Sequence, residues 1–177
     1  MNALAKVPLV PLALPPHVRG VPVSRDKLRH VITHMRERDH KEIYALRFDD
    51  DPEKFLEHQI QRMGKMCRVW EHDFVPVSVQ GVMCERPGVW SMFAYGTDDW
   101  RRVVLPMTRW AWRFVIPAMC QVAHRVECLA LRENTDSRRW IESFGARQEC
   151  VLREYGKHRE DFVLYAWKPD YVQRRRR

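Results

Sequence analysis

The sequence predicts a single α/β (α+β) domain, a mixed, mostly antiparallel twisted sheet of about seven strands with about four helices. Three observations carry this expectation. Val126–Leu131, Ser137–Phe144 and Gln148–Leu152 read as strand, short helix and strand, with Trp140, Ile141 and Phe144 at helical spacing. Val75, Val77 and Val79 alternate with Pro76, Ser78 and Gln80, the period-two signature of a half-buried strand. Asp51-Pro52-Glu53 is a helix start, followed by Phe55, Leu56, Gln59, Ile60 and Met63 on one face.

Composition sets the bounds. A chain of 177 residues that is 45% hydrophobic builds a real core, and at this size folding buries roughly 70% of the unfolded surface. No stretch reaches the roughly 20 apolar residues of a membrane span. Pro8, Pro11, Pro15 and Pro16 break what could have been a signal-peptide core, so an intracellular protein is expected. Cys67, Cys84, Cys120, Cys128 and Cys150 form no close pair, and apolar neighbours suggest buried thiols. The eight histidines have no metal-site spacing, and no metal is expected. Four of the +8 net charges come from Arg174–Arg177. Such a block either attracts a phosphate backbone by counterion release or is simply solvated.

In chain order, residues 1–24 form a proline-rich apolar extended arm, 25–169 the domain and 170–177 a basic tail. The prolines of the arm exclude a helix and prevent full pairing in a sheet. Its Val7, Leu9, Val10, Leu12 and Leu14 should lie against the domain or a neighbouring subunit. Leu28–Met35 is read as the first strand, and Asp39–Ala45 as a short helix. The Asp51-capped helix follows, closed by Gly64. Cys67–Trp70 and Val75–Cys84 form a hairpin, and Val89–Tyr95 is the fourth strand. Gly96-Thr97-Asp98-Asp99-Trp100-Arg101-Arg102 is a loop in which Thr97 or Asp98 caps the next helix. That helix carries Met107, Trp110, Ala111, Phe114, Val115 and Ala118 on one face, with Trp112, Ile116 and Met119 on another. Pro106 starts or kinks it, and Pro117 bends or ends it. Gly145 suits a left-handed cap after Phe144, and Phe162–Trp167 closes the sheet.

The order strand, Asn134-x-x-Ser137-x-x-Trp140-Ile141-x-x-Phe144-Gly145, strand, Tyr155-Gly156 turn and closing strand resembles the C-terminal half of GCN5-related N-acetyltransferases (GNATs). The likeness is nearest to divergent bacteriophage versions, some of them internal virion proteins of short-tailed phages. It is clearest over Val89–Trp167. The resemblance implies acetyl-coenzyme A as cofactor, with Asn134 and the Gly96 loop at its binding site; Arg101 and Arg102 either bind its phosphate through their side chains or are simply solvated beside Asp98 and Asp99. The family's glycine-rich phosphate loop falls at Gly96–Arg102, which has one glycine and two carboxylates. Asn134 either contacts the cofactor or only shapes the loop before its helix.

Acetyl transfer needs a base for the amine, an acid for the leaving thiolate and donors for the carbonyl oxygen. The family's acid, a Tyr four residues before the glycine, is replaced here by Ile141, which leaves Tyr155 as the candidate acid. Glu127 and Glu85 are candidate bases. Glu127 has an alternative reading as an outward-facing partner of Arg125 or Arg153. Cys128 lacks a nearby His and is not read as a nucleophile. Two functions remain: an acetyl-CoA-dependent N-acetyltransferase, or a catalytically silent phage virion or assembly protein. The expected locations are host cytoplasm or virion. The expected partners are phage structural proteins or a second copy through the arm, with weak nucleic-acid contact by the tail.

Overall fold

The structure, a computed structural model, describes residues 14–168. Its seven described strands are β1 (Val18–Pro22), β2 (Arg68–His72), β3 (Val75–Arg86), β4 (Val89–Gly96), β5 (Arg125–Leu131), β6 (Arg147–Leu152) and β7 (Phe162–Trp167). They run in the sheet order β1-β2-β3-β4-β5-β7-β6. The helices are α1 (Arg25–Thr33), α2 (Glu37–Tyr44), α3 (Pro52–Arg62), α4 (Val104–Trp110), α5 (Ile116–Val122) and α6 (Thr135–Ser143). The chain divides into two compact units. The first holds residues 14–36, Asp51–Met83 and Met92–Val122, and the second Glu37–Asp50, Cys84–Ser91 and 123–168.

In the first unit, β1 pairs antiparallel with β2, and β2 with β3. Val18–Pro22 was expected in the arm but is this edge strand. Its one proline is the last residue, where a missing N–H costs the ladder least. Leu28–Met35 is not a strand. Leu28, Val31 and Ile32 stand three and four residues apart, so they form one buried helical face in α1. Exposed ion pairs Arg25–Glu57 and Arg29–Glu53 join α1 to α3. Asp51 caps α3 as expected, its Oδ1 accepting from Glu53 N–H at 2.9 Å. Gly64 is not a left-handed stop, because the helix ends in extended backbone at Met63. The β2–β3 turn is Asp73-Phe74, both at positive φ. The Arg19 guanidinium covers the Phe74 ring at 4.0 Å.

The helical stretch after β4 stays continuous through Pro117 by changing pitch. A π-helical segment, Ala111–Val115, separates α4 from α5. Proline has no N–H and its ring crowds the carbonyl four residues back, so a wider turn just before it accommodates the defect. Met107, Trp110, Ala111, Val115, Ile116 and Met119 are buried there.

In the second unit, β4 and β5 pair in parallel over three rungs, Val89↔Arg125, Trp90↔Val126 and Ser91↔Glu127. β7 is antiparallel to both β5 and β6, so the last strand in sequence lies inside the sheet and β6 is at its edge. α6 follows the sequence reading closely. Ile141 and Phe144 are buried, and Phe144 packs on Trp167 with ring centroids 5.2 Å apart. Burying such an aromatic contributes about 1.5–3 kcal/mol. Among the five free thiols only Cys67 is buried. Cys84 and Cys150 are exposed and the other two intermediate, contrary to the buried set expected. Residues 1–13 of the expected arm and the Arg174–Arg177 tail lie outside the described residues.

Gly145 has φ 100°, a conformation that costs an L side chain dearly. Gly145→Ala is expected to lose about 1 kcal/mol of stability or more in urea unfolding.

Candidate functional site

The end of β5 is fixed by a carboxylate from α2. Glu42 Oε2 accepts from the Leu131 backbone N–H and from Asn134 Nδ2, each at 3.0 Å. Asn134 also uses its other end, Oδ1 accepting from Ser137 N–H at 3.2 Å as the N-cap of α6. Both ends of the amide are therefore engaged within this unit. Beside it, Arg38 pairs with Asp136 at 2.8 Å and Lys41 pairs with Glu133. The hydrogen bond from Lys41 to Glu133 raises the lysine's pKa above its usual range. These residues border an open hollow of about 280 Å³ that Asn134 also lines.

A second hollow, of about 350 Å³, lies between the loop after α2 and the β6–β7 connection. Lys157 N–H donates to Ala45 O at 2.8 Å, and Lys157 Nζ pairs with Asp50. Leu46, Phe48 and Tyr155 are exposed around it, with Leu129 also in its lining. Tyr155 meets Phe162 edge-on, centroids 6.0 Å apart. The connection is held by Asp161, which accepts from Glu154 N–H at 3.0 Å and from Arg132 at 2.9 Å. These bonds keep its carboxyl below the usual range.

Ser91 connects Glu85 and Glu127. Ser91 is the register partner of Glu127 and donates its hydroxyl to Glu85 at 2.6 Å. Glu127 accepts from Arg125, which also holds Glu149 at 2.7 Å. From Glu127 to Leu131 the strand advances by about 13 Å. The two candidate bases thus sit at the opposite end of β5 from Asn134. Cys128 lies between. Burial pushes its thiol up, and the Glu42 and Glu127 carboxylates push it further.

In the first unit, Gly96 is required by packing. A Cβ there would lie 2.7 Å from Val77 O and 2.8 Å from the Trp100 ring. Thr97 caps Asp98–Arg102, accepting from Asp99 N–H at 3.3 Å, as the sequence suggested. That segment is a 3₁₀ turn. Asp99 binds Arg102 at 2.7 Å, and Arg101 is exposed.

No protein-family model matches the chain, and no curated protein matches it. Solved structures do. A GCN5-related N-acetyltransferase from Brucella melitensis matches at TM-score 0.64 and 18% identity, over 94% of this chain and 82% of that one. RimJ of Mycobacterium smegmatis, in complex with CoA-disulfide, matches at 0.63 and 16%, over 86% and 82%. YncA of Salmonella typhimurium, with its cofactor acetyl-CoA, matches at 0.60 and 11%, over 87% and 95%. The fold is the GNAT fold.

Ile141 is buried in α6. The missed residues are Glu42 and Ser91. Glu42 lies 89 residues from Leu131, and its helix reads as an ordinary charged surface. Ser91 gave no signal in an aromatic-rich strand. Among the described residues no helix is long and apolar enough to cross a membrane.

Asn134→Ala removes the α6 cap and one donor to Glu42. It should cost about 1 kcal/mol in chemical unfolding, an effect that Asn134→Ser, which retains a capping oxygen, should largely avoid.

Proposed function

We propose that the chain is an acyl-coenzyme-A-dependent N-acyltransferase, with acetyl-CoA as donor. The observation that carries this reading is the GNAT fold itself, seen with acetyl-CoA in a structure of the same topology. In the reaction an amine loses a proton and its nitrogen bonds to the thioester carbonyl. The carbon–sulfur bond then breaks, and the thiolate takes up a proton. Tyr155, exposed and phenolic, supplies that proton. The amine's proton passes to Glu85, which is hydrogen-bonded to Ser91, or to Glu127, the register partner of Ser91. Asn134, in the second unit, contacts the donor. Gly96 serves by holding the turn close to Val77.

A second reading has its own observation. Ile141 stands where the family places its acid, and both ends of the Asn134 amide are already bonded. A silent GNAT-fold protein of phage assembly, held by its arm and arginine tail, is consistent with both.

Calorimetric titration with acetyl-CoA, followed by a thiol-release assay over a panel of primary amines and lysine peptides, separates the two. The enzyme reading expects saturable binding and turnover. Tyr155→Phe should lower kcat by about 100-fold, with the donor Kd unchanged. Binding without release of thiol favours the silent protein. No binding of either acetyl-CoA or CoA defeats the enzyme reading.

A further inference from the structure

The first unit buries a cation, Arg68, that no carboxylate among the described residues pairs with. Arg68 on β2 is 2% exposed, and its Nη1 donates to the carbonyls of Lys65 at 2.8 Å and Cys67 at 2.7 Å. Its Nε and Nη2 have no hydrogen-bond partner among the described residues. Among the described residues no carboxylate pairs with it. Glu71, a fully buried carboxylate of this unit, is already bound by Arg19 and Lys27. Burial disfavours the charged form of Arg68, yet a guanidinium does not deprotonate in proteins. The charge must therefore be balanced where it lies.

Its neighbours share the condition. Gln80 is the register partner of Arg68, is 2% exposed, and has neither Nε2 nor Oε1 bonded. Trp70 and Trp110 are buried with their indole N–H groups unpartnered. The Trp110 ring lies 5.6 Å from Arg68 Cζ, and the two indoles meet edge-to-face at 5.8 Å. Arg68, Trp70 and Gln80 stand on one face of the β2–β3 pair, since side chains two apart and directly opposite share a face. The free groups are almost all donors: Arg68 Nε and Nη2, the Gln80 amide nitrogen and two indole nitrogens, against a single acceptor, Gln80 Oε1. Water accepts hydrogen bonds but carries no charge to balance Arg68. A small anion brings acceptors and the missing charge together.

We propose that this cluster is a structural binding site for a small inorganic anion of the halide class, held by Arg68 and Gln80 with the indole N–H groups of Trp70 and Trp110 as further donors. The site is independent of acyl transfer, and it makes the fold of this unit anion-dependent.

The test uses the full chain. Thermal unfolding is followed in sodium chloride, sodium bromide and sodium gluconate at equal ionic strength. Chloride and bromide should raise Tm in a saturable, concentration-dependent way that gluconate does not, as a ligand bound only to the folded state must. Arg68→Met should abolish the halide difference. Gln80→Met should weaken the apparent halide affinity about tenfold, and it serves if Arg68→Met does not fold. Crystals grown in bromide should show an anomalous bromine peak within hydrogen-bond distance of Arg68 Nε or Nη2. Equal Tm in all three salts overturns the proposal. So does a crystal in which water, or an acceptor from residues 1–13 or 169–177, satisfies Arg68.

Discussion

One carboxylate on α2 sets the end of β5 and the start of α6. Strand ends and helix starts both leave N–H groups unmatched, and here they come within three residues of each other. Glu42 accepts from one side of that junction at Leu131 and from Asn134 at the other. Asn134 then passes the constraint to α6 by accepting from Ser137 N–H. Glu42 is half-buried, and hydrogen bonds to a charged group contribute about 1.5–3 kcal/mol. The hollow beside Asn134 has its shape because this junction is fixed.

The first unit solves a different problem. Its chain must pass from β4 into a long helical stretch that contains two prolines and an unusual number of tryptophans. Close packing of Gly96 against Val77 O and Trp100 fixes the exit from β4. The π-helical segment before Pro117 keeps the apolar face in register without a break. That face buries Trp110 beside Arg68, so good aromatic packing leaves polar hydrogens with no protein partner. The cost of such groups is high in a medium that screens poorly.

What could be read from the sequence was mostly local. The α6 unit was legible because its cap, apolar spacing and terminal glycine lie within a dozen residues. The Asp51 cap of α3 and the β2–β3 hairpin were legible for the same reason. The first helix was misread although Leu28, Val31 and Ile32 already had helical spacing, because a strand was expected there. The true first strand was hidden by the prolines around it, only one of which falls inside Val18–Pro22. The candidate site was less legible than the fold. Asn134 could be named, but its partner Glu42 is brought to it by tertiary structure alone. The meeting of Ser91 with Glu127 follows from sheet register and that of Ser91 with Glu85 from a side-chain hydrogen bond, neither of which a local signal announces. Arg68 and Gln80 gave no hint of burial, since both residue types are ordinarily exposed.

The pin at Glu42 is tested most directly by amide hydrogen exchange, residue by residue, in the native protein and in Glu42→Ala. Loss of the carboxylate should speed exchange at Leu131 and Ser137 by about tenfold or more, while amides of β2 and β3 keep their protection. Unchanged protection at Leu131 and Ser137 would show that the junction holds without Glu42 and would contradict the account.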